Sequence, residues 1–396
     1  MPASRNRETV ESVIYVAWFL NAGLGEEYGV DFENPAGLNK KRNLVEALDA
    51  VGVDVRVVSP VLTNQPSLRW RGTRRADDGI ETVAPPMTGL PLLNIFLVPL
   101  ATLVTLFREH RSDPVDAIIV YNYRPESMPA ALVFRLLAGV PVVVEWEDDL
   151  SSGAPNPIVR TIAPVVVQLC RRFVDGGILV TSTFVDRLPT ANYCIVRGIV
   201  SADQIGEESR NANAKPTVVY GGKIDQLRGA HTFARAIQHV NPARDVAFRI
   251  TGFGADSEVE ALKSELAVAA PHDREFLGFL PKAEYDQLIA EADVLLSLQD
   301  PEHVFSQYSF PSKIIEYMAT GNTVVSTRVS DLESFAEGRV VLTDPDPEAV
   351  AEILETVLDD LPEYRDYGDT AAEWVAENCT PEPVGQAVRD VLVAAQ

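Results

Sequence analysis

The sequence predicts an α/β protein with two Rossmann-like domains, each a doubly wound parallel sheet. Apolar runs of strand length alternate with amphipathic segments of helix length from residue 12 onward, which is the order typical of parallel sheets. The alternation breaks in a polar stretch at 201–216 and then restarts. A chain of 396 residues is also long for a single hydrophobic core, so two domains are expected.

The first predicted domain, residues 1–205, opens with a βαβ unit. The apolar run 12–20 predicts a strand, a Gly-containing loop follows as far as Gly37, and the helical pattern after it stops at Gly52. Residues 53–60 predict the second strand. A helix is expected at 129–139, and further strands at 117–122, 141–149, 176–182 and 193–200.

The second predicted domain, residues 206–380, repeats the rhythm. Strands are expected at 217–223, 246–254, 274–280, 293–299 and 322–327, and helices at 230–240, 257–270, 284–292 and 314–321. Residues 347–396 look helical, and Pro381 and Pro383 set off a last helix that we expect to pack back on the first domain. Ligands of such folds bind at the carboxyl ends of the strands, which predicts a site in the cleft between the domains.

Composition excludes some classes of function. The net charge of −23 argues against a nucleic-acid partner, because no overall positive field attracts a phosphate backbone. Only seven of the 34 basic residues are lysines, and an acidic, lysine-poor surface favours a halophilic cytoplasm. The three cysteines are far apart, which indicates neither a disulfide framework nor a zinc site. The N-terminal residues lack the apolar core of a signal peptide, so we expect a cytoplasmic protein.

The segment 89–107 is apolar over about the length of a membrane span, although Pro91 and Pro99 interrupt it. Three interpretations stay open: a buried core helix, a peripheral contact with the membrane, and a transmembrane span. Arginines flank the segment in this otherwise acidic chain: Arg69, Arg71, Arg74 and Arg75 before it, Arg108 and Arg111 after it.

The stretch 220–229 carries the first candidate site. A predicted strand ends in Gly221 and Gly222, where the backbone can approach a ligand closely. Lys223 and Arg228 then bracket a short loop before a helix. Exposed amides and two flexible cations suit a diphosphate, and the alternative is a solvated turn with incidental charges.

The stretch 305–321 carries the second candidate site. It follows a predicted strand and opens a helix, for which Ser312 is a candidate N-cap. Glu316, one turn into that helix, is placed to accept hydrogen bonds from a ribose diol. The competing interpretation makes Glu316 an ordinary acid on a helix surface.

Taken together, five motifs in order make the second half resemble the donor domain of the retaining family 4 glycosyltransferases (glycosyl transferases group 1), which have the GT-B fold. They are Gly222-Lys223 with Arg228-Gly229 four residues on, Gly252-Phe253-Gly254, Phe276-Leu277-Gly278-Phe279-Leu280, Asp293-Val294-Leu295-Leu296, and the Pro311-Ser312-Lys313 block with Glu316. The lysine and arginine of the first motif are exchanged relative to the family. The Pro-Ser-Lys block is a variant form.

The resemblance implies roles for these residues. Lys223 and Arg228 would hold the donor diphosphate and stabilise the leaving nucleotide, so neither a metal nor a cofactor is required. Glu316 would bind ribose, while the family's other acid falls on Tyr308 in this chain. The donor-binding set that follows is Gly37, Gly222, Gly254, Leu277, Gly278, Tyr308, Ser309, Ser312, Lys313 and Glu316.

The first half resembles the acceptor domain more loosely. Gly37 matches a Gly-rich turn that faces the donor phosphate in the family. A middle strand ends in Glu147, Asp148 and Asp149 where the family often has a histidine. Glu147 and Asp148 are candidates to contact acceptor hydroxyls or to act as a base, and a solvated acidic loop is the alternative.

The predicted function is transfer of a sugar from a nucleotide-diphosphate donor to a glycan or lipid-linked acceptor, with retention. Three alternatives remain. A nucleotide-sugar epimerase would use the acids at 147–149, and a non-catalytic binder of nucleotide sugars would explain Tyr308. A dehydrogenase is disfavoured, because the Gly252-x-Gly254 turn has Ser257 where a third glycine is needed.

Overall fold

The structure is a computed structural model, and it describes residues 9–20, 24–25, 35–60, 72–77, 79–88, 90–148, 164–165, 167–206, 215–268 and 272–396. The chain divides into two compact units. The first unit comprises Met1–Ile199 and Thr380–Gln396, and the second comprises Val200–Cys379. Arg69, Arg71, Asp149, part of the loop before Gly37 and residues 207–214 of the polar stretch lie outside the described residues.

The first unit is built on an eight-stranded sheet in the order β3-β4-β2-β1-β5-β6-β7-β8. Its pairings are parallel except for the antiparallel β3–β4 hairpin. The central strands β5 and β6 are buried along their whole length, as their apolar runs predict. The elements are β1 (Ser12–Val16), α1 (Pro35–Ala50), β2 (Asp54–Val58), β3 (Thr73–Asp77), β4 (Ile80–Ala84), α2 (Pro91–Ser112), β5 (Ala117–Tyr121), α3 (Met128–Ala138), β6 (Val142–Trp146), β7 (Gly176–Leu179) and β8 (Tyr193–Ile195).

The second unit has a six-stranded, fully parallel sheet in the order β11-β10-β9-β12-β13-β14. Its strands are β9 (Thr217–Ile224), β10 (Ala247–Gly254), β11 (Asp273–Phe276), β12 (Val294–Ser297), β13 (Thr323–Thr327) and β14 (Val341–Thr343). Its helices are α4 (Ala230–Ala236), α5 (Asp256–Val268), α6 (Lys282–Ala290), α7 (Val304–Gln307), α8 (Lys313–Ala319), α9 (Glu333–Ala336), α10 (Pro347–Asp359) and α11 (Leu361–Asn378).

The last helix, α12 (Pro381–Ala394), belongs to the first unit and packs on α1. The two helices approach closely at Gly385, where an added Cβ would lie 1.9 Å from the Ala47 carbonyl oxygen. Val388 and Leu392 of α12 are buried in the same core as Leu44 and Leu48 of α1. This final segment therefore completes the core that begins with β1.

The predicted class, two parallel-sheet α/β domains, is confirmed. One element was not predicted, and one local expectation was wrong. The β3–β4 hairpin was not expected, and Gly37 does not lie in a loop, because α1 already begins at Pro35. Proline is favoured in a first helical turn, where its missing N–H has no partner to lose, so Gly37 becomes part of that turn.

Candidate functional site

In the second unit the strand order reverses between β9 and β12, because the chain first builds outward to β11 and then returns to the other side of β9. Ligands of open parallel sheets bind beyond the carboxyl ends of the strands at such a point. Gly221, Gly222 and Lys223 occupy this end of β9. The sequence motif therefore lies where the topology favours a ligand.

Glycine is required here because the ends of β9 and β10 are unusually close. Gly252 pairs with Gly222, and an added Cβ on Gly252 would lie 1.7 Å from the Gly222 carbonyl oxygen. Gly252 also has φ 151°, a conformation that L-residues with side chains rarely adopt. On Gly254 an added Cβ would lie 2.3 Å from the Ile224 oxygen. Packing and backbone conformation thus exclude side chains at Gly252 and Gly254.

The two predicted cations differ in their surroundings. The Lys223 side chain is 56% exposed, and its Nζ lies 3.2 Å from Asp225 Oδ2. Arg228 is half-buried, and its carbonyl accepts a hydrogen bond of 2.8 Å from the Tyr220 hydroxyl. Asp225 Oδ1 accepts from the backbone N–H of Arg228 at 2.9 Å and so fixes the intervening turn. Backbone contacts hold both ends of the loop while Lys223 stays accessible.

Lys313 turns toward the protein's own backbone. Its Nζ donates to the Gly221 carbonyl oxygen at 2.8 Å, and the Tyr317 hydroxyl donates to the same oxygen at 3.0 Å. The Lys313 ammonium also lies 5.1 Å from the centre of the Tyr285 ring. Burial lowers the pKa of Lys313. In this arrangement Lys313 positions the end of β9.

At the start of α8, Ser312 and Lys313 are half-buried. Ser312 takes the N-cap position of α8, as predicted, but it has helical dihedral angles and its side chain makes no capping hydrogen bond. Glu316 lies in the first turn with its side chain exposed. Tyr308, just after α7, is half-buried, and Ser309 is buried.

Leu277 and Gly278 follow β11 directly. The Leu277 N–H donates to the Ile250 oxygen, and the Gly278 carbonyl accepts from the Gly252 N–H at 2.9 Å. Two exposed aromatic rings flank these glycines, Phe253 at 52% and Phe279 at 70% exposure. Their centroids lie 5.8 Å apart in an edge-to-face arrangement. Exposed rings beside a glycine-rich strand end offer surface on which a flat ligand group can pack.

The corresponding end of the first sheet is acidic and buried. Glu145, on β6, accepts a hydrogen bond from the Tyr15 hydroxyl on β1. Burial, reinforced by the negative charge of Glu147, raises the pKa of Glu145 to about 8, whereas the bond from Tyr15 lowers it. The pKa of Tyr15 is itself raised well above its usual value, chiefly by burial. Burial at this position therefore favours the protonated form of the Glu145 carboxyl.

Asn122 organises the acidic segment that follows. It has φ 54°, a conformation that asparagine tolerates, and its side-chain oxygen accepts from the N–H groups of Glu147 at 2.8 Å and Asp148 at 3.2 Å. Glu147 is buried and pairs with Lys40 of α1 at 2.6 Å. Burial raises the pKa of Glu147, and the Lys40 ammonium opposes that rise. Asp148 remains half-buried.

Several of these residues were missed in the sequence. Glu145 interrupts an otherwise apolar strand, which was a visible signal of a buried acid. The sequence carried no signal for Lys40 and Tyr15, because only the fold brings them next to Glu147 and Glu145. Tyr285 and Tyr317 were equally undetectable as partners of Lys313 and Gly221.

Two family models match the chain. The one described as Glycosyl transferases group 1 matches residues 215–360, and the one described as Glycosyl transferase 4-like domain matches residues 40–194. The first match falls on the second unit and the second on the first unit. No curated protein sequence matches the chain significantly.

Solved structures of similar fold cover nearly the whole chain. Sucrose-phosphate synthase from Thermosynechococcus elongatus has a TM-score of 0.69 at 16% identity, with 95% of this chain and 97% of that chain covered. HepE from Anabaena, in complex with UDP and glucose, has a TM-score of 0.67 at 16% identity, covering 96% and 98%. The UDP-forming α,α-trehalose-phosphate synthase from Burkholderia vietnamiensis has a TM-score of 0.67 at 13% identity, covering 99% of both chains. With a glycosyltransferase model matching each of its two parallel-sheet domains, the chain is a glycosyltransferase of the GT-B fold.

Proposed function

We propose that the protein transfers a sugar from a nucleotide-diphosphate donor, bound at the end of β9, to an acceptor hydroxyl. The observation that carries this proposal is the strand end itself, where glycine backbone lies beside the exposed Lys223 and the Arg228 turn. Cations and open backbone suit a diphosphate better than a neutral sugar. The solved HepE structure, of the same fold, contains UDP and glucose.

Each feature of the site has a proposed role. Lys223 and Arg228 neutralise the charge that develops on the leaving nucleotide, which makes transfer independent of a metal ion. The exposed Glu316 accepts hydrogen bonds from the ribose, and the Phe253–Phe279 pair provides ring surface for the base. Activity that persists in EDTA supports the metal-independent scheme, and activity restored only by a divalent cation contradicts it.

On the acceptor side we assign the contact to Asp148. Glu147 is buried and already paired with Lys40, whereas Asp148 is more accessible and its backbone is held by Asn122. Retention of configuration follows the family resemblance: the leaving phosphate deprotonates the acceptor on the same face, so the cations matter more than a protein base. A surface glycan or lipid carrier is the proposed acceptor, since α2 exposes apolar surface suited to the inner face of the cell membrane.

Tyr308 motivates one other candidate, a protein that binds a nucleotide sugar without transferring it. Measurement of turnover separates the transferase from the non-catalytic binder. Because the composition is acidic, the assays should be run in concentrated salt. Binding without hydrolysis or transfer to any acceptor tried favours the binder.

The donor assignment is tested by titration calorimetry with nucleoside diphosphates. Lys223→Ala and Arg228→Ala each remove a charge-assisted contact of roughly 1.5–3 kcal/mol, so affinity should fall about tenfold or more. Lys263→Ala, in an exposed lysine of α5, is the matched control and should bind normally. Unchanged affinity in both site variants would refute the assignment.

A further inference from the structure

Helix α2 has apolar side chains on two opposite sides. Val98 and Leu106 are buried against the unit, as expected of a helix that covers a sheet. The opposite side is apolar as well, and Phe96 is 76% exposed. The outer stripe, at spacings of three and four residues, consists of Leu93, Phe96, Leu100 and Val104.

Neighbouring segments extend this surface. Helix α3 packs on α2 through an edge contact between Phe134 and Phe107, whose centroids lie 4.8 Å apart. Leu136 and Leu137 of α3 are 70% and 69% exposed. Both helices connect parallel strands in the same direction along the sheet, so right-handed crossovers place them on one face. Exposed Val165, Leu169 and Phe173, at intervals of four, precede β7 in the next crossover.

The charge at this face is opposite to that of the chain as a whole. Arg108 and Arg111 continue the outer stripe of α2, and Arg172 adjoins Phe173, all three exposed. Two acidic side chains near this face form ion pairs with arginines of the same unit. Glu109 is buried and binds Arg74 at 2.7 Å, while Asp175 binds Arg135 at 2.6 Å. The face therefore combines apolar side chains with basic ones.

The contacts of α2 distinguish a peripheral membrane contact from a transmembrane span. Within the described residues, Leu93–Ser112 is the one helix that is long and apolar enough to cross a membrane. However, Arg56 of β2 donates to the carbonyls of Glu109 at 3.1 Å and Asp113 at 2.7 Å, which ties the helix to the sheet. One side of α2 thus packs against the protein core, and only the opposite side is available for contact with a membrane.

We propose that α2 and α3, together with Val165, Leu169, Arg172 and Phe173, form an apolar-basic face that docks in the plane of an anionic lipid bilayer. Apolar side chains would enter the headgroup region while the arginines pair with lipid phosphates. A second copy of the chain fits less well, because two such faces would bring like charges together. The inference rests on the proposed function only for the location of the acceptor, and the nucleotide-binding titration tests that function separately.

Vesicle flotation of the full chain tests the proposal, at the lowest salt concentration at which circular dichroism shows it folded. We expect flotation with phosphatidylglycerol vesicles and far less with phosphatidylcholine vesicles. Phe96→Ser/Leu100→Ser should lower the bound fraction about tenfold or more. Arg108→Gln/Arg111→Gln should lower it by a similar factor on the anionic vesicles only.

Val268→Ser and Lys263→Glu, both in exposed positions of α5, are the matched controls and should float like the unsubstituted protein. If Phe96→Ser/Leu100→Ser fails to fold, Leu136→Ser/Leu137→Ser replaces it. A protein that floats with neither vesicle, or whose face variants float normally, overturns the proposal. So does a dimer in solution that the apolar variants convert to monomer without a change in flotation, since a second copy would then be the occupant.

Discussion

The two sheets end in opposite chemistry at equivalent places. In the second unit, glycines end β9 and β10, Lys223 is exposed, and Lys313 is turned back to hold the Gly221 carbonyl. In the first unit the strand ends carry buried acids, with Glu145 bonded to Tyr15. The strand ends of the second unit approach each other through glycines, whereas those of the first unit hold a buried polar network.

The difference teaches how one architecture can present two kinds of chemistry at its strand ends. A diphosphate needs close backbone and permanent positive charge, and glycine with Lys and Arg supplies both. A buried acid cluster instead has a charge that depends on burial and on its neighbours, because taking a carboxylate out of water favours its protonated form. The first arrangement is a local feature of sequence, whereas the second exists only after folding.

The largest expected effect tests whether the second unit requires glycine where β10 approaches β9. Gly252→Ala places a methyl group against the Gly222 oxygen at φ 151°, and should cost about 3 kcal/mol or more of unfolding free energy. Gly338→Ala, also at positive φ but in open space, should cost only about 1–2 kcal/mol. Urea unfolding compares the two, and equal losses would show that steric approach at β9 is unimportant.

A smaller effect tests the assignment of Lys313 as a positioning residue. Lys313→Met removes the charge-assisted bond to the Gly221 oxygen, while Tyr317 still donates to that atom. We expect a loss of about 2 kcal/mol in stability together with weaker nucleotide binding. Tyr317→Phe removes a neutral bond to the same oxygen and should cost about 1 kcal/mol. A Lys313→Met protein that keeps full stability but loses nucleotide would instead mean that the ammonium contacts the ligand directly.

A further prediction concerns pH and tests the first unit. Glu145 has a folded pKa of about 8, above its unfolded value of about 4.3, so the folded state holds a proton that the unfolded state releases. Its contribution to stability is therefore present at low pH and is lost as the pH rises toward 8. Relative to Glu145→Gln, the protein should lose at most about 1.4 kcal/mol per pH unit in that window.

Tyr15→Phe sharpens this prediction. The Tyr15 hydrogen bond lowers the pKa of Glu145, so its removal should move the window to higher pH. Urea unfolding at pH 5, 6.5 and 8 provides the measurement. Parallel stability curves for the unsubstituted protein and Glu145→Gln would mean that the carboxyl is ionised throughout.

Local pattern was enough for much of the fold. The buried runs at β5 and β6 predicted strands because apolar side chains on both faces fit only a covered sheet. The glycine and lysine at the end of β9 could be recognised because the constraint is local, in the backbone. The β3–β4 hairpin escaped prediction because β3, Thr73–Asp77, has no alternating apolar pattern and lies at the sheet edge.

Two residues of the site show what spacing alone leaves open. Ser312 takes the N-cap position of α8, but the absence of a capping bond from its side chain could not be predicted from the sequence. The bond from Lys313 to the Gly221 carbonyl could not be predicted either, because the two residues lie 92 positions apart in sequence. The direction of a long side chain depends on tertiary neighbours, so residue type and spacing cannot determine it.

Helix α12 has a consequence for synthesis on the ribosome. The first unit needs residues 380–396 to cover α1, yet the whole second unit is translated before them. The core around Leu44 and Leu48 therefore gains its α12 residues only after the second unit has been made, and the first unit can complete its packing only then. A stop codon placed just before Pro381 would leave an intact second unit joined to a first unit with an uncovered core.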